Sequence, residues 1–169
     1  FNSFTIKAHD ICLKGKSLFI LPPLIQLRLT PHNIKEKYLK DVLIKSKEIL
    51  KDLSLDCEYF NHFQISNLLS YLNPNQINTL CLFYAQDIEN ETLNIIKKFK
   101  FLRKLEITKA SSLCREGYLN LFEKEFEFLK KINFCDNSLF DDECLLKLTK
   151  ACLRLVTINI SWCSQLTNS

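Results

Sequence analysis

The sequence predicts an α/β solenoid in which short parallel strands line an inner sheet and helices line the outside. Three observations predict it. An apolar phrase of fixed form recurs at a nearly constant period, its last residues alternate with the two-residue period of a strand, and the intervals carry apolar residues at helical spacing. The phrase is apolar, two residues, apolar, one residue, apolar. It reads Leu24-x-x-Leu27-x-Leu29, Leu50-x-x-Leu53-x-Leu55 and Ile77-x-x-Leu80-x-Leu82 in the first half. It continues as Leu102-x-x-Leu105-x-Ile107, Leu129-x-x-Ile132-x-Phe134 and Leu155-x-x-Ile158-x-Ile160. The middle positions, 27, 53, 80, 105, 132 and 158, lie 26, 27, 25, 27 and 26 residues apart. Phe1-x-x-Phe4-x-Ile6 reads as a degenerate seventh copy, 23 residues before the first full one.

Each phrase supplies a strand, and each interval a helix. Helices are expected over Ile34–Ile49, His62–Leu72, Asn90–Phe99, Glu116–Phe128 and Asp141–Ala151. Leu39, Val42, Leu43 and Leu50 fall on one face of the first; Leu119, Phe122 and Phe126 fall on one face of the fourth. The acidic run Asp141-Asp142-Glu143 opens the fifth, where the positive end of a helix dipole favours acids and no metal is needed to explain them. A strand–helix unit of about 26 residues cannot bury its own apolar side. Stacked units can, with a continuous core between a parallel sheet and a helical layer, wound right-handed. Six to seven such repeats, beginning near residues 1, 24, 50, 77, 102, 129 and 155, make one domain over 1–169. With no methionine and an incomplete unit at the end, the chain reads as a segment of a longer protein.

Composition narrows the function. Two glycines leave little material for phosphate-cradling loops. The net charge of +4 is mild, and the lysines are interleaved with acids, as in Lys35-Glu36-Lys37 and Glu123-Lys124-Glu125, so nucleic acid is not the expected partner. The eight cysteines, Cys12, Cys57, Cys81, Cys114, Cys135, Cys144, Cys152 and Cys163, include no C-x-x-C pair. Zinc ligands come in close pairs, so neither a metal nor another cofactor is expected. Unpaired buried thiols suit a reducing compartment, and the expected location is intracellular, cytoplasmic or nuclear. The longest apolar run, 18–25, is broken by Pro22 and Pro23 and is too short to cross a bilayer, so no membrane partner is expected. Asn90-Glu91-Thr92 is a glycosylation sequon that by itself carries little weight.

The segment from Cys135 to Thr167 closely resembles the cysteine-containing leucine-rich repeat found in F-box proteins, within the ribonuclease-inhibitor-like superfamily. The residues that carry the likeness are Leu139-Phe140-Asp141 for its turn, Ala151-Cys152 closing the helix, and Ser161-Trp162-Cys163 after the strand. Upstream the pattern departs: Cys57 sits one place early, and His32, Ala85, Ala110 and Asn137 stand where the repeat has its cysteine. The resemblance implies a leucine-rich-repeat solenoid that presents target proteins to a ubiquitin ligase. It also implies an F-box before Phe1 that docks on a Skp-family adaptor and a cullin, with no ubiquitin-transfer chemistry in these repeats. The alternative is a structural repeat arm or scaffold in a larger assembly, unrelated to ubiquitination. A regulator that wraps an enzyme, as ribonuclease-inhibitor-like solenoids do, fits less well, because those repeats are longer and more regular.

In such a solenoid the residues between the apolar anchors face the concave side. The candidate protein-binding residues there are Arg28, Ser54, Asp56, Cys81 and Phe83 in the first units. Lys104, Glu106, Lys131, Asn133 and Asn159 continue the face. One column further along stand Cys57, Tyr84, Lys109, Asp136 and Trp162, of which Tyr84 and Trp162 are candidate aromatic anchors. Arg28, Asp56 and Lys104 alternate in sign, which suits a partner of mixed charge. Catalysis lacks parts. His9, His32 and His62 bring no orienting group, and the pair Cys57–His62 has no defined geometry, so no enzyme is expected. Leu153 to Leu166 reads as an uncapped terminal unit that should associate.

Overall fold

The computed structural model describes residues 3–5, 25–29 and 36–167. Phe1, Ile6, His9, Cys12, Leu24, His32 and Ile34 lie outside the described residues. So does the Pro22-Pro23 break.

Seven strands form one parallel sheet in chain order: β1 (Ser3–Thr5), β2 (Gln26–Leu29), β3 (Asp52–Asp56), β4 (Thr79–Phe83), β5 (Lys104–Ile107), β6 (Lys131–Asn133) and β7 (Thr157–Asn159). The register follows the apolar phrase. Phe4 pairs with Leu27, and Leu27, Leu53, Leu80, Leu105, Ile132 and Ile158 then pair in succession. Leu27 to Ile132 of this row are buried, and so are Leu29, Leu55, Leu82, Ile107 and Phe134 two residues on. That is the alternation a half-buried strand requires.

Just before each strand, one carbonyl takes two amides from the next unit. Ile25 O accepts from Lys51 and Asp52, Lys51 O from Asn78 and Thr79, and Asn78 O from Arg103 and Lys104. Arg103 O accepts from Lys130 and Lys131, and Lys130 O from Val156 and Thr157. The units are therefore locked at the strand entry as well as along the ladder.

Among the described residues, five helices follow strands β2 to β6: α1 (Glu36–Ser46), α2 (His62–Ser70), α3 (Asn90–Ile96), α4 (Arg115–Leu121) and α5 (Asp142–Ala151). Each contacts the next, and one apolar layer joins them to the sheet. Asn61 starts α2 with a capping box, its Oδ1 accepting from Gln64 N at 3.0 Å while Gln64 Oε1 accepts from Asn61 N at 3.1 Å. Asp141 starts α5, its Oδ1 accepting from Cys144 N at 2.9 Å.

Four of these helices end earlier than helical spacing alone predicts, most of all α4, expected to run to Phe128, whereas α5 ends at Ala151 as expected. At Phe122 the chain leaves the helix (φ −92°, ψ 15°), and Phe126 N donates instead to Ala151 O of the next unit at 2.8 Å. Phe122 and Phe126 still share the apolar layer, with ring centroids 6.1 Å apart. Their spacing mimicked a helix because both face the same core.

Candidate functional site

Because the helices cover one face of the sheet, the other remains open, and the residues between the buried anchors stand on it. Arg28 and Lys131 are exposed, whereas Ser54, Asp56, Phe83, Lys104, Glu106, Asn133 and Asn159 are half-buried among their neighbours. Short-range pairing organises the face. Gln26 Nε2 donates to Asp52 Oδ2 at 2.6 Å, Lys104 Nζ meets Glu106 Oε1 at 3.0 Å, and the Arg28 guanidinium lies 6.0 Å from the Phe83 ring centre. A shallow cavity of about 290 Å³ opens between Arg28, Ser54, Thr79 and Lys104.

Cys81, expected on the open face, is not exposed there. It is only 2% exposed, standing between Ser54 and Glu106 on the paired strands. Burial, with the Glu106 carboxylate beside it, pushes its thiol up to about 12. Ser54 and Glu106 flank it across the sheet, a cross-strand effect that spacing along one strand does not reveal.

The column beyond the strand ends is different in kind. Tyr84, Lys109, Asp136 and Trp162 all hold positive φ, at 51°, 56°, 61° and 64°. The next residue in each unit, Ala85, Ala110, Asn137 or Cys163, turns inward and is buried. Cys57, expected in this outward column, belongs to the inward one. It is 2% exposed, and its amide donates to Phe83 O at 2.7 Å. The unit of β3 is one residue shorter at this turn, so it has no left-handed residue there.

The inward residues tie successive units together. Asn137 Nδ2 donates to Ile107 O at 2.9 Å and its Oδ1 accepts from Ala110 N at 2.8 Å. Cys163 Sγ reaches Phe134 O at 3.1 Å, the matching carbonyl one unit on. Asn137 and Cys163 thus do one job with different chemistry. This explains why asparagine can stand at the resemblance's cysteine position.

Tyr84, Lys109, Asp136 and Trp162 border a cavity of about 420 Å³ on the open face, together with Phe83, and Asn133 and Asn159 also line it. Trp162 is 81% exposed and Tyr84 44%. The Lys109 ammonium lies 4.8 Å from the Tyr84 ring centre, a cation–π contact. Asn133 Oδ1 accepts from Cys135 N and Asn159 Oδ1 from Ser161 N, both at 3.1 Å, which turns the chain away from the strand and into the rim. Sequence reasoning placed these residues in one column but missed the left-handed turn. The signal was present as a one-residue gap between the outward Ser161 and the inward Cys163.

Other candidate chemistry is taken up by structure. His62 Nδ1 faces Glu89 Oε1 at 3.3 Å, while Cys57 Sγ lies 3.8 Å from Leu55 O, with burial raising its thiol above the ordinary range. Cys57, Cys81, Cys114, Cys135, Cys144, Cys152 and Cys163 are free thiols. Of the acidic run, Asp141 caps α5 and meets Arg115 Nε at 2.5 Å, Glu143 meets the other arm of Arg115, and Asp142 accepts from Thr167. Among the described residues no group of His, Cys, Asp and Glu could hold a metal ion, and no helix is long and apolar enough to cross a membrane. The sequon is built into the helical layer: Asn90 Nδ2 lies 2.9 Å from Cys114 Sγ, and Thr92 is fully buried against Ser66.

No family profile matches the sequence, and no curated protein does. Among solved structures, one chain of the Rad7 and Elc1 complex from yeast is similar at 16% identity with a TM-score of 0.48, over 90% of this chain and 55% of that one. The chain therefore spans about half the length of that neighbour.

Proposed function

We propose that residues 1–169 form a single right-handed leucine-rich-repeat solenoid of six to seven units that binds another protein through the open face of its sheet. The observation that carries this reading is the face itself. Strands β2 to β7 in unbroken register present rows of polar side chains, and an aromatic rim at Tyr84 and Trp162 borders them. Exposed aromatics beside a polar field are the usual makings of a protein-binding hot spot. The constant offset between paired strands supports the solenoid reading, since units of one size can only stack by translation and a small turn.

The finer reading rests on the resemblance of Cys135–Thr167 to the repeats of F-box proteins. In it the chain recognises targets for a ubiquitin ligase inside the cell, an F-box elsewhere in the protein engages a Skp-family adaptor and a cullin, and these repeats perform no chemistry of their own. Affinity purification of the full-length protein, with mass spectrometry of what accompanies it, tests this. A Skp-family adaptor and a cullin in the eluate are the expected result. A fixed set of other subunits without them would make the chain a structural arm and retire the ligase reading.

A further inference from the structure

Four consecutive units aim a side chain at the same cavity from a left-handed backbone, and the residues used are Tyr84, Lys109, Asp136 and Trp162. That conformation is unfavourable for any residue with a Cβ and is normally left to glycine, asparagine or aspartate. A tyrosine, a lysine and a tryptophan persist there because the neighbouring unit fixes the turn. Lys109 N donates to Cys135 O at 3.1 Å and Asp136 N to Ser161 O at 2.8 Å. An outlier repeated in four units and always at the edge of one cavity points to a use for what it displays.

The two ends of the row differ. At one end the Lys109 ammonium already lies over the Tyr84 ring. At the other, among the described residues, the Asp136 carboxylate has neither hydrogen bond nor ion pair, and no cation lies on the exposed Trp162 ring. The two stand on adjacent units, about 5 Å apart along the sheet. One planar cation could stack on the indole and meet the carboxylate edge-on. Below them, Asn133 and Asn159 spend their Oδ1 atoms on their own turns. Their Nδ2 groups have no partner among the described residues, and they sit where an extended segment would offer carbonyls.

We propose that Asp136 and Trp162 form a subsite for an arginine side chain on an extended segment of a partner protein lying across the strand ends. Arginine suits it better than lysine, because its flat, weakly hydrated guanidinium stacks on an aromatic face and forks onto a carboxylate. The Lys109 charge one unit away repels a second cation, so the subsite selects an isolated arginine and not a polybasic run. This proposal rests on the protein-binding reading of the open face and names what one corner of it grips.

Trp162 is the only tryptophan in the sequence, so its emission reports on this corner alone. The test titrates the chain with acetyl-Gly-Arg-Gly-amide and with the same peptide carrying citrulline, lysine, glutamate or phenylalanine. The arginine peptide should give a saturable emission change below about 10 mM, the range expected of one stacked ion pair. Citrulline keeps the shape without the charge and should bind at least about fivefold more weakly. Asp136→Asn, which asparagine's tolerance of the left-handed region leaves foldable, should weaken the arginine peptide about tenfold without affecting the phenylalanine one. The citrulline comparison needs no variant. Absence of any saturable response to arginine, equal binding of citrulline or glutamate, or indifference to Asp136→Asn overturns the proposal. The two readings fail separately. A partner gripped through Phe83 and Arg28 but indifferent to Asp136→Asn removes only the arginine subsite. An arginine response from a chain whose partner holds the helical side removes only the face.

Discussion

At Asn137 a single buried side chain closes two backbone groups of the preceding unit, Ile107 O and Ala110 N. Removing it orphans both in the core, so Asn137→Ala should cost about 2–4 kcal/mol in urea unfolding. Asn137→Cys should cost less, because Cys163 already satisfies the equivalent carbonyl with sulfur. Tyr84 makes the opposite case. Tyr84→Gly removes a large ring but relieves a positive φ, so stability should change by less than about 1 kcal/mol even where binding is lost. Asp141 adds a pH term. Partial burial raises its carboxyl, but the Cys144 amide and Arg115 outweigh this and hold it below the usual value. A carboxyl depressed on folding stabilises at neutral pH, and the contribution is lost as pH falls through the folded value. Asp141→Asn keeps the cap and discards the charge. Its stability should therefore fall less steeply than that of the parent between about pH 5 and pH 2. Of these residues only Asp141 was legible in its role from sequence. The left-handed rim and the Asn137 bridge depend on contacts between units 24 to 30 positions apart, which local spacing does not encode.

Elements were legible where a repeating core dictated them and less so where they end. Every strand lies at its apolar phrase and every helix in its interval, because burial on one side imposes periods of two and near 3.6. Helix ends are set instead by the neighbouring unit, as Phe126 donating to Ala151 shows for α4. Gly117 within α4 makes this dependence measurable. A Cβ built there would lie 2.1 Å from Asn90 Oδ1 and 3.3 Å from a Leu93 methyl, both on α3. Gly→Ala inside a helix normally stabilises by up to about 1 kcal/mol. Here Gly117→Ala should destabilise, because Asn90 must give up its bonds to Cys114 N and Sγ. In an Asn90→Ala background the same change should regain the normal sign. Unfolding of the four proteins of this cycle reads the coupling directly.

At the scale of the whole 169-residue chain, exposed apolar side chains gather at β7. Leu153 is 81% exposed, Val156 77% and Ile158 38%, beside the free side of β7, although the equivalent Leu80 and Leu105 are fully buried. An apolar strand edge of this kind pairs with whatever is available. The 169-residue chain should therefore self-associate at tens of micromolar by size-exclusion chromatography, and Val156→Lys should restore the monomer; a parent chain that stays monomeric would remove this expectation. What the open face would bind was not legible in the sequence, since a repeated surface encodes shape and no signature. The proposed interface puts partners on the open sheet face and its rim and not on the helical layer. It is tested most directly by measuring the affinity of the purified chain for a co-purifying protein in two variants. Phe83→Ala/Trp162→Ala alters the face and rim, whereas Glu91→Ala/Lys150→Ala alters exposed positions on α3 and α5. The account predicts a loss of at least about tenfold for the first pair and no change for the second. The reverse pattern would place the partner on the helices and contradict it.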